Sequence, residues 1–366
     1  MTTDASVYIH IPFCIKKCRY CSFYSLESVN EEKKRKYRDA VIDQLRSFGN
    51  EFGTLRLDTL YLGGGTPPSI GAGNLCDIVR NAALYFDFND DAEITVEINP
   101  LSVTENDIAM LKDCGVNRFS IGLQSSDDAM LKKLGRIHTV SDFLKTYEIC
   151  RKYSDNVSVD LMFALPDQDM IMLRKDVDFV CGLKPEHISL YCLTLDSSVD
   201  LYRHKNEYSF ADDDTQADMY MYICESLEKN GYDHYEVSNF ALKGRESRHN
   251  SKCWERFEYI GFGASAHSFF KNRRYAFSNS VDEYIARGSA ENYSAFSGIN
   301  GIAPLTADES ESERIMLGLR MKKGIPYERR VPEMLIKNGL VKYENGVLSL
   351  TDKGMFVSNS IINSLI

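Results

Sequence analysis

Three cysteines, Cys14, Cys18 and Cys21, stand at i, i+4 and i+7 in the run HIPFCIKKCRYCSFYS. Thiols bunched on one short loop bring three soft anionic ligands to one centre, which is metal chemistry. Three thiolates can ligate three irons of a cubane [4Fe–4S] cluster and leave the fourth iron open to an exogenous ligand. Zinc is the main competitor, although structural zinc usually takes two paired ligand sets and no second CxxC-type pair is present. A disulfide would leave one thiol over. The remaining cysteines, at 76, 114, 150, 181, 192, 224 and 253, are isolated, most of them in apolar stretches. In a reducing compartment they read as small core residues.

Other residues could do chemistry. Gly63-Gly64-Gly65-Thr66-Pro67 follows the apolar run TLYL. Glycines there let the backbone approach a ligand, and exposed amides can meet a carboxylate. Glu97 ends EITVEI, where a carboxylate could accept from both hydroxyls of a ribose; a lone Glu there reads first as a solvated strand end. Asp160 sits inside the apolar VSVDLMFALP, where an unpaired carboxylate is costly to bury. The run His249-Asn250-Ser251-Lys252-Cys253-Trp254 gathers an imidazole, a thiol and an indole. Imidazole or thiolate can ligate a metal, and an indole can pack on a flat apolar surface. His10, His138 and His267 read first as structural.

These residues need a scaffold that brings distant segments together. Strand-like runs at Val7–Ile11, Thr59–Leu62, Glu93–Ile98, Arg118–Ile121, Val157–Phe163 and His187–Leu193 alternate with helix-like segments. In Asn30–Phe48, Tyr37, Val41, Leu45 and Phe48 recur at helical spacing, with Asn30 as the expected cap and Gly49 as the expected stop. Alternation of this kind predicts an α/β fold, a partial (β/α)6 TIM-like barrel with right-handed crossovers. Such sheets bind ligands at the carboxyl ends of their strands. The cysteine loop, the glycine run, Glu97, Gln124 and Pro166 all fall at or just after such ends. Residues 1–200 are therefore assigned to the barrel and 201–300 to a less regular accessory region. Residues 301–366 are assigned to a small winged-helix-like module. There a helix-like Glu309–Lys322 precedes a hairpin turning at Asn345-Gly346, and Thr351 caps a last helix.

The 366 residues are 43% hydrophobic, enough for a sizeable core, and carry 43 basic against 53 acidic side chains, a net charge of −10. That balance disfavours nonspecific binding to nucleic acid or anionic membrane. No apolar run is long enough to span a bilayer, and the first residues lack the pattern of a secretory signal. A cytoplasmic protein is expected, with membrane contact at most peripheral.

With Tyr20 before its third cysteine, CxxxCxYC resembles the signature of the radical S-adenosylmethionine superfamily. The likeness, running from Tyr8 to about His267, extends to anaerobic coproporphyrinogen III oxidase and its relative, the haem chaperone group HemW. It implies a [4Fe–4S] cluster on Cys14, Cys18 and Cys21, with S-adenosylmethionine chelating the open iron. It further implies cofactor contacts by Tyr8, Tyr20, Gly64, Gly65, Thr66, Glu97, Gln124, Arg136 and Asp160, and a backbone contact at Thr194. Two departures separate the branches. The oxidase carries a further cysteine where Phe23 stands, and an extended segment ahead of its cysteines. CSFYS is similar to the CDFxS of HemW, and HNSKCW to its HNxxYW, with Cys253 in place of the tyrosine. The resemblance thus implies a haem-binding protein, with His249 in contact with haem (Cys253 is a second candidate iron ligand) and haem-acceptor proteins as partners. The alternatives are oxidative decarboxylation of coproporphyrinogen III or another tetrapyrrole, and a scaffold with structural zinc.

Overall fold

A computed structural model describes residues 4–288 and 303–366. Six strands, β1 (Asp4–Ile11), β2 (Leu55–Gly64), β3 (Phe86–Ile98), β4 (Arg118–Gln124), β5 (Val157–Phe163) and β6 (His187–Cys192), lie parallel in chain order. They are the six expected strands, several of them longer than the sequence indicated. The chain then adds β7 (Asp233–Glu236), β8 (Asn239–Ala241), β9 (Tyr259–Phe262), β10 (His267–Phe270) and β11 (Arg273–Ala276). The complete order is β11-β10-β9-β1-β2-β3-β4-β5-β6-β8-β7, with β9 parallel to β1 and the outer strands antiparallel. This is an α/β fold with a parallel-dominated sheet. The less regular stretch after residue 200 supplies strands to both of its edges. The expected boundary at 300/301 lies outside the described residues.

A parallel sheet buried on both faces would read as continuous apolar runs. Here the strands alternate. Val7, Ile9, Leu60, Leu62, Val96, Ile98, Phe119, Ile121, Val159, Leu161, Ile188 and Leu190 are buried on one face. Its helices include Glu31–Phe52, Ala72–Tyr85 and Val140–Tyr153. The other set of positions is polar. Register places Tyr8 beside Tyr61, Thr59 beside Glu93, Glu97 beside Ser120, Ser158 beside His187 and Asp160 beside Ser189. One face thus forms the core and the other faces an interior lined with hydrogen-bonding groups.

The first helix is capped by Asn30, whose side chain accepts from Lys33 N, and it buries Tyr37, Val41, Leu45 and Phe48 as expected. It does not stop at Gly49; it continues to Phe52 and ends at Gly53 (φ 75°). Gly49 serves packing instead, since a Cβ there would lie 2.8 Å from Tyr85 Cβ. In the C-terminal segment the helix is Ala307–Gly318, capped by Thr306. The hairpin Val341–Glu344/Val347–Leu350 turns at Asn345 (φ 52°) and Gly346 (φ 79°), and Thr351 caps Asp352–Phe356.

Gly263, just beyond β9, has φ 108°, and a Cβ on it would meet His10 O at 2.5 Å and Tyr37 Oη at 2.6 Å. Gly263→Ala is expected to cost about 2 kcal/mol, from overpacking and an unfavourable backbone region. Gly73, helical and with open space around it, should accept Ala with a gain of up to about 1 kcal/mol. Thermal melts of both variants check the contrast.

Candidate cofactor site

The cysteine loop leaves the end of β1 and is fastened at several points. Phe13–Cys14 pairs in parallel with Leu26–Glu27, and Leu26 N donates to Pro12 O at 2.8 Å. Arg19 N donates to Leu134 O at 3.0 Å, while its guanidinium reaches Asp200 at 2.6 Å and Tyr208 Oη at 3.0 Å. The loop is thus held from both sides, over a cavity of about 430 Å³ at the carboxyl ends of the strands. That volume suits a small organic ligand.

Cys14, Cys18, Tyr20, Cys21, Gly64, Gly65, Thr66, Glu97, Gln124, Arg136 and Asp160 all line this one cavity. Gly65 N bonds Ile11 O at 2.9 Å and Thr66 N bonds Phe13 O at 2.7 Å, bringing the glycine run against the loop. A Cβ on Gly65 would fall 2.6 Å from Phe13 O and 3.0 Å from Cys14 Sγ, so only glycine permits that approach. Thr66 Oγ1 donates to Cys14 Sγ at 3.8 Å, and Arg136 Nη1 to Cys18 Sγ at 3.4 Å. Arg136 also donates to Asn99 Oδ1 at 2.6 Å and Gly122 O at 2.8 Å. Burial works against its charge, but Tyr20 and Cys18 hold its pKa above the ordinary value.

Burial raises the Cys14 and Cys21 thiols. The Thr66 hydroxyl on the Cys14 sulfur and the Arg136 guanidinium on that of Cys18 are contacts that suit anionic sulfur ligands. Among the described residues, one set of three metal-ligating side chains has all its ligand atoms within 4.8 Å, and it lies elsewhere. Three thiols spaced more widely around a cavity suit a multi-iron cluster better than a single ion. The donor set therefore fits the cluster.

Burial pushes the Glu97 carboxyl up to about 7, against bonds from Tyr61 Oη (2.8 Å) and Gly64 N (2.9 Å). Burial also raises Asp160, opposed by Ser189, Arg118 and Ser120. Gln124 ends β4 with φ 73°, a backbone strain of a kind that gathers at ligand sites.

Two sequence candidates fall elsewhere. Tyr8 lies on the inner face of β1, its hydroxyl 2.8 Å from His10 Nδ1, and it does not line the cavity. His249 is 5% exposed, with Nδ1 2.8 Å from Thr59 Oγ1 and its ring against those of Tyr61 and Tyr8. Burial and Arg118 push its pKa down to about 3. It is the second residue of the helix Arg248–Trp254, whose first two amides donate to the Glu93 carboxylate at 3.1 Å. That helix turns His249 inward and presents Asn250, Cys253 and Trp254 to a second cavity of about 490 Å³. Tyr191 lines both cavities, which makes them neighbours. Asn99, Ser120, Gly122 and Tyr191 are cavity residues that motif reading passed over. Polar residues at every second position of these strands were the available signal. No helix among the described residues is long and apolar enough to cross a membrane.

Comparison with known proteins gives the following. The family model described as Radical SAM superfamily matches residues 8–180. A Lactococcus lactis protein named heme chaperone HemW is 35% identical over 379 residues, covering 99% of this chain and 97% of that one. The Bacillus subtilis protein of the same name is 30% identical over 381 residues, covering 99% of each. The structure titled coproporphyrinogen III oxidase (HemN) from Escherichia coli, a radical SAM enzyme, superimposes with a TM-score of 0.84 at 19% identity. It covers 99% of this chain and 90% of that one, a likeness of fold.

Glu97 yields a test. Its carboxyl lies at about 7 in the fold against an ordinary 4.5, so the folded state holds the extra proton. The associated stability is full below 4.5 and is lost as pH rises through 7. Glu97→Gln should therefore melt above the parent at pH 8 in cofactor-free protein, and the gap should narrow toward pH 5.5. A gap independent of pH would contradict the assignment.

Proposed function

The chain belongs to the radical SAM superfamily, in the HemW branch of the anaerobic coproporphyrinogen III oxidase family, and from that premise we propose that it binds haem and passes it to acceptor proteins. The observation that carries this reading is likeness along the whole chain to two proteins named haem chaperones. Phe23 supports it. It stands where the oxidase has a further cysteine, and it is 66% exposed on the cavity wall.

Cys14, Cys18 and Cys21 would hold a [4Fe–4S] cluster, with Thr66 and Arg136 donating to its sulfur ligands. Such a cluster supplies an open iron that takes the amino and carboxylate groups of S-adenosylmethionine and an electron that can cleave its sulfonium. The backbone of Gly64, Gly65 and Thr66 would meet the methionine end. Glu97 would accept from the ribose hydroxyls, and Gln124 and Asp160 would fix the nucleoside on the far wall. Tyr8 would act one layer below, through Tyr61 and Glu97.

The haem seat would be the neighbouring cavity, where Trp254, Tyr191 and Tyr259 offer flat apolar faces. Cys253 is the candidate iron ligand on that wall. Burial pushes its thiol up to about 12, so iron would have to displace a proton, and ligation strengthens as pH rises. His249 could reach the same haem only if its helix rolled outward. Residues 1–200 would carry the cofactors, 201–300 the haem wall, and 301–366 a winged-helix-like module closing that wall through Met316 and Leu317. Isolated thiols and the absence of a membrane-crossing helix among the described residues favour a cytoplasmic site of action.

Two experiments follow. Anaerobic reconstitution should give a brown protein, and alanine at Cys14, Cys18 or Cys21 should abolish the colour while alanine at Cys76 or Cys150 leaves it. Spectral titration of the reconstituted protein should then show stoichiometric haem binding, with or without S-adenosylmethionine. Cys253→Ala should bind at least tenfold more weakly with an altered Soret band. An absence of haem binding, or brisk decarboxylation of coproporphyrinogen III under reducing conditions, would overturn the proposal.

A further inference from the structure

Away from both cavities, Cys224, His234 and Asp352 bring one ligand atom each within 4.8 Å of the others. They come from different parts of the chain. Cys224 lies on the helix Asp213–Lys229, His234 on edge strand β7, and Asp352 in the first turn of Asp352–Phe356. His234 Nδ1 is the shared atom, 2.8 Å from Asp352 Oδ1 and 3.8 Å from Cys224 Sγ. The thiol and the imidazole are buried, and the ring is stacked on Phe240 at 4.4 Å.

Hydrogen bonding fixes which ring nitrogen faces this cluster bare. Tyr220 Oη donates its one proton to Val237 O at 2.8 Å, so toward His234 Nε2, at 3.3 Å, it can only accept. In the tautomer with its hydrogen on Nε2, that hydrogen points at Tyr220 Oη in the way that orients metal-bound imidazoles. Nδ1 then faces a carboxylate that can only accept. Two acceptors at that distance need a cation between them, either a second ring proton or a metal ion. A proton would account for the imidazole and the carboxylate but gives the thiol no part.

We propose that Cys224, His234 and Asp352 form a zinc(II) site that pins the C-terminal segment to the edge of the sheet. Cysteine sulfur, histidine nitrogen and aspartate oxygen are zinc's usual ligands, with water in the fourth position. Zinc bond lengths in a tetrahedral site separate nitrogen from sulfur by about 3.6 Å and nitrogen from oxygen by about 3.4 Å. The imidazole–thiol distance of 3.8 Å is already close to that, the imidazole–carboxylate pair at 2.8 Å would open by about half an ångström, and the thiol and carboxylate lie within 4.8 Å of each other. Lys322 Nζ bonds the same Asp352 oxygen, and Glu228, on the helix that carries Cys224, acts on the thiol with the opposite charge. The exchange balances. Zinc takes the place of the thiol proton and of any proton on Nδ1, and these are released to solvent. Nothing is oxidised or reduced. Affinity must then fall as pH falls.

The test uses full-length protein with its iron–sulfur cluster reconstituted, so that Cys14, Cys18 and Cys21 are already occupied. Titration with cobalt(II) should produce a cobalt–thiolate charge-transfer band, and titration with zinc(II) should bleach it at one equivalent and raise the melting temperature. Cys224→Ser should abolish the band with the brown cluster chromophore intact. Asp352→Asn should retain the band but weaken zinc binding at least tenfold, while Cys253→Ser should change neither. If Cys224→Ser fails to fold, Asp352→Asn and the cobalt spectrum of the parent still decide. No thiolate band in the parent, a band that persists in Cys224→Ser, or zinc that leaves the melting temperature unmoved would each overturn the site in favour of a hydrogen-bonded ion pair.

Discussion

The guanidinium of Arg118 is 2% exposed at the centre of the polar sheet face, and the arrangement around it depends on that charge. Burial disfavours the cation, yet Glu93, Tyr61, Tyr235 and Asp160 hold its pKa above the ordinary value. The dependence is mutual, because Arg118 in turn opposes the rise that burial imposes on Glu97 and Asp160. Carboxylates on β3 and β5, the two strands that flank Arg118 on β4, could not face one interior without such a partner. Removing the guanidinium would leave several buried negative groups uncompensated, which is far costlier than removing an exposed ion pair. The same charge joins burial in keeping His187 and His249 neutral.

From that centre the interior divides along the strand direction. Toward the carboxyl ends lie the groups proposed to meet the cofactor: Glu97 steadied by Tyr61 and Gly64, Asp160 by Ser120 and Ser189, and Arg136 spanning Asn99, Gly122 and Cys18. Toward the amino ends they become structural. There Glu93 takes the free amides at the start of the helix Arg248–Trp254, and Thr59 takes His249. Negative charge at a helix amino end is favourable, so one carboxylate both balances Arg118 and seats the helix that closes the interior. That helix in turn presents Cys253 and Trp254 to the second cavity. The cofactor cavity and its neighbour are thus coupled through one polar interior and share Tyr191.

Much of this was legible in the sequence. The six parallel strands could be read because β-rich runs alternate with helical periods. The convergence of Cys14, the glycine run, Glu97 and Gln124 could be anticipated because each follows or ends a strand, whereas Arg136 and Asp160 were indicated by the family resemblance. Three features resisted reading for physical reasons. Gly49 looked like a helix stop, but a helix tolerates glycine when a neighbour such as Tyr85 packs where a side chain would stand. His249 looked available to a ligand. Only the tertiary register that sets Glu93 beneath its helix turns it inward, and local sequence does not encode that register. Cys224, His234 and Asp352 are separated by up to 128 residues in the chain (352 minus 224) and meet only when the C-terminal segment docks on β7.

In the proposed function the strand-end cavity holds a cluster whose open iron is the seat of S-adenosylmethionine. The most direct measurement is the electron paramagnetic resonance spectrum of the reduced, reconstituted protein before and after adding the nucleotide. A change in the cluster signal on addition, weakened in Asp160→Ala with its cluster still present, is the expected result. A cluster signal that the nucleotide leaves unaltered at saturating concentration would contradict it.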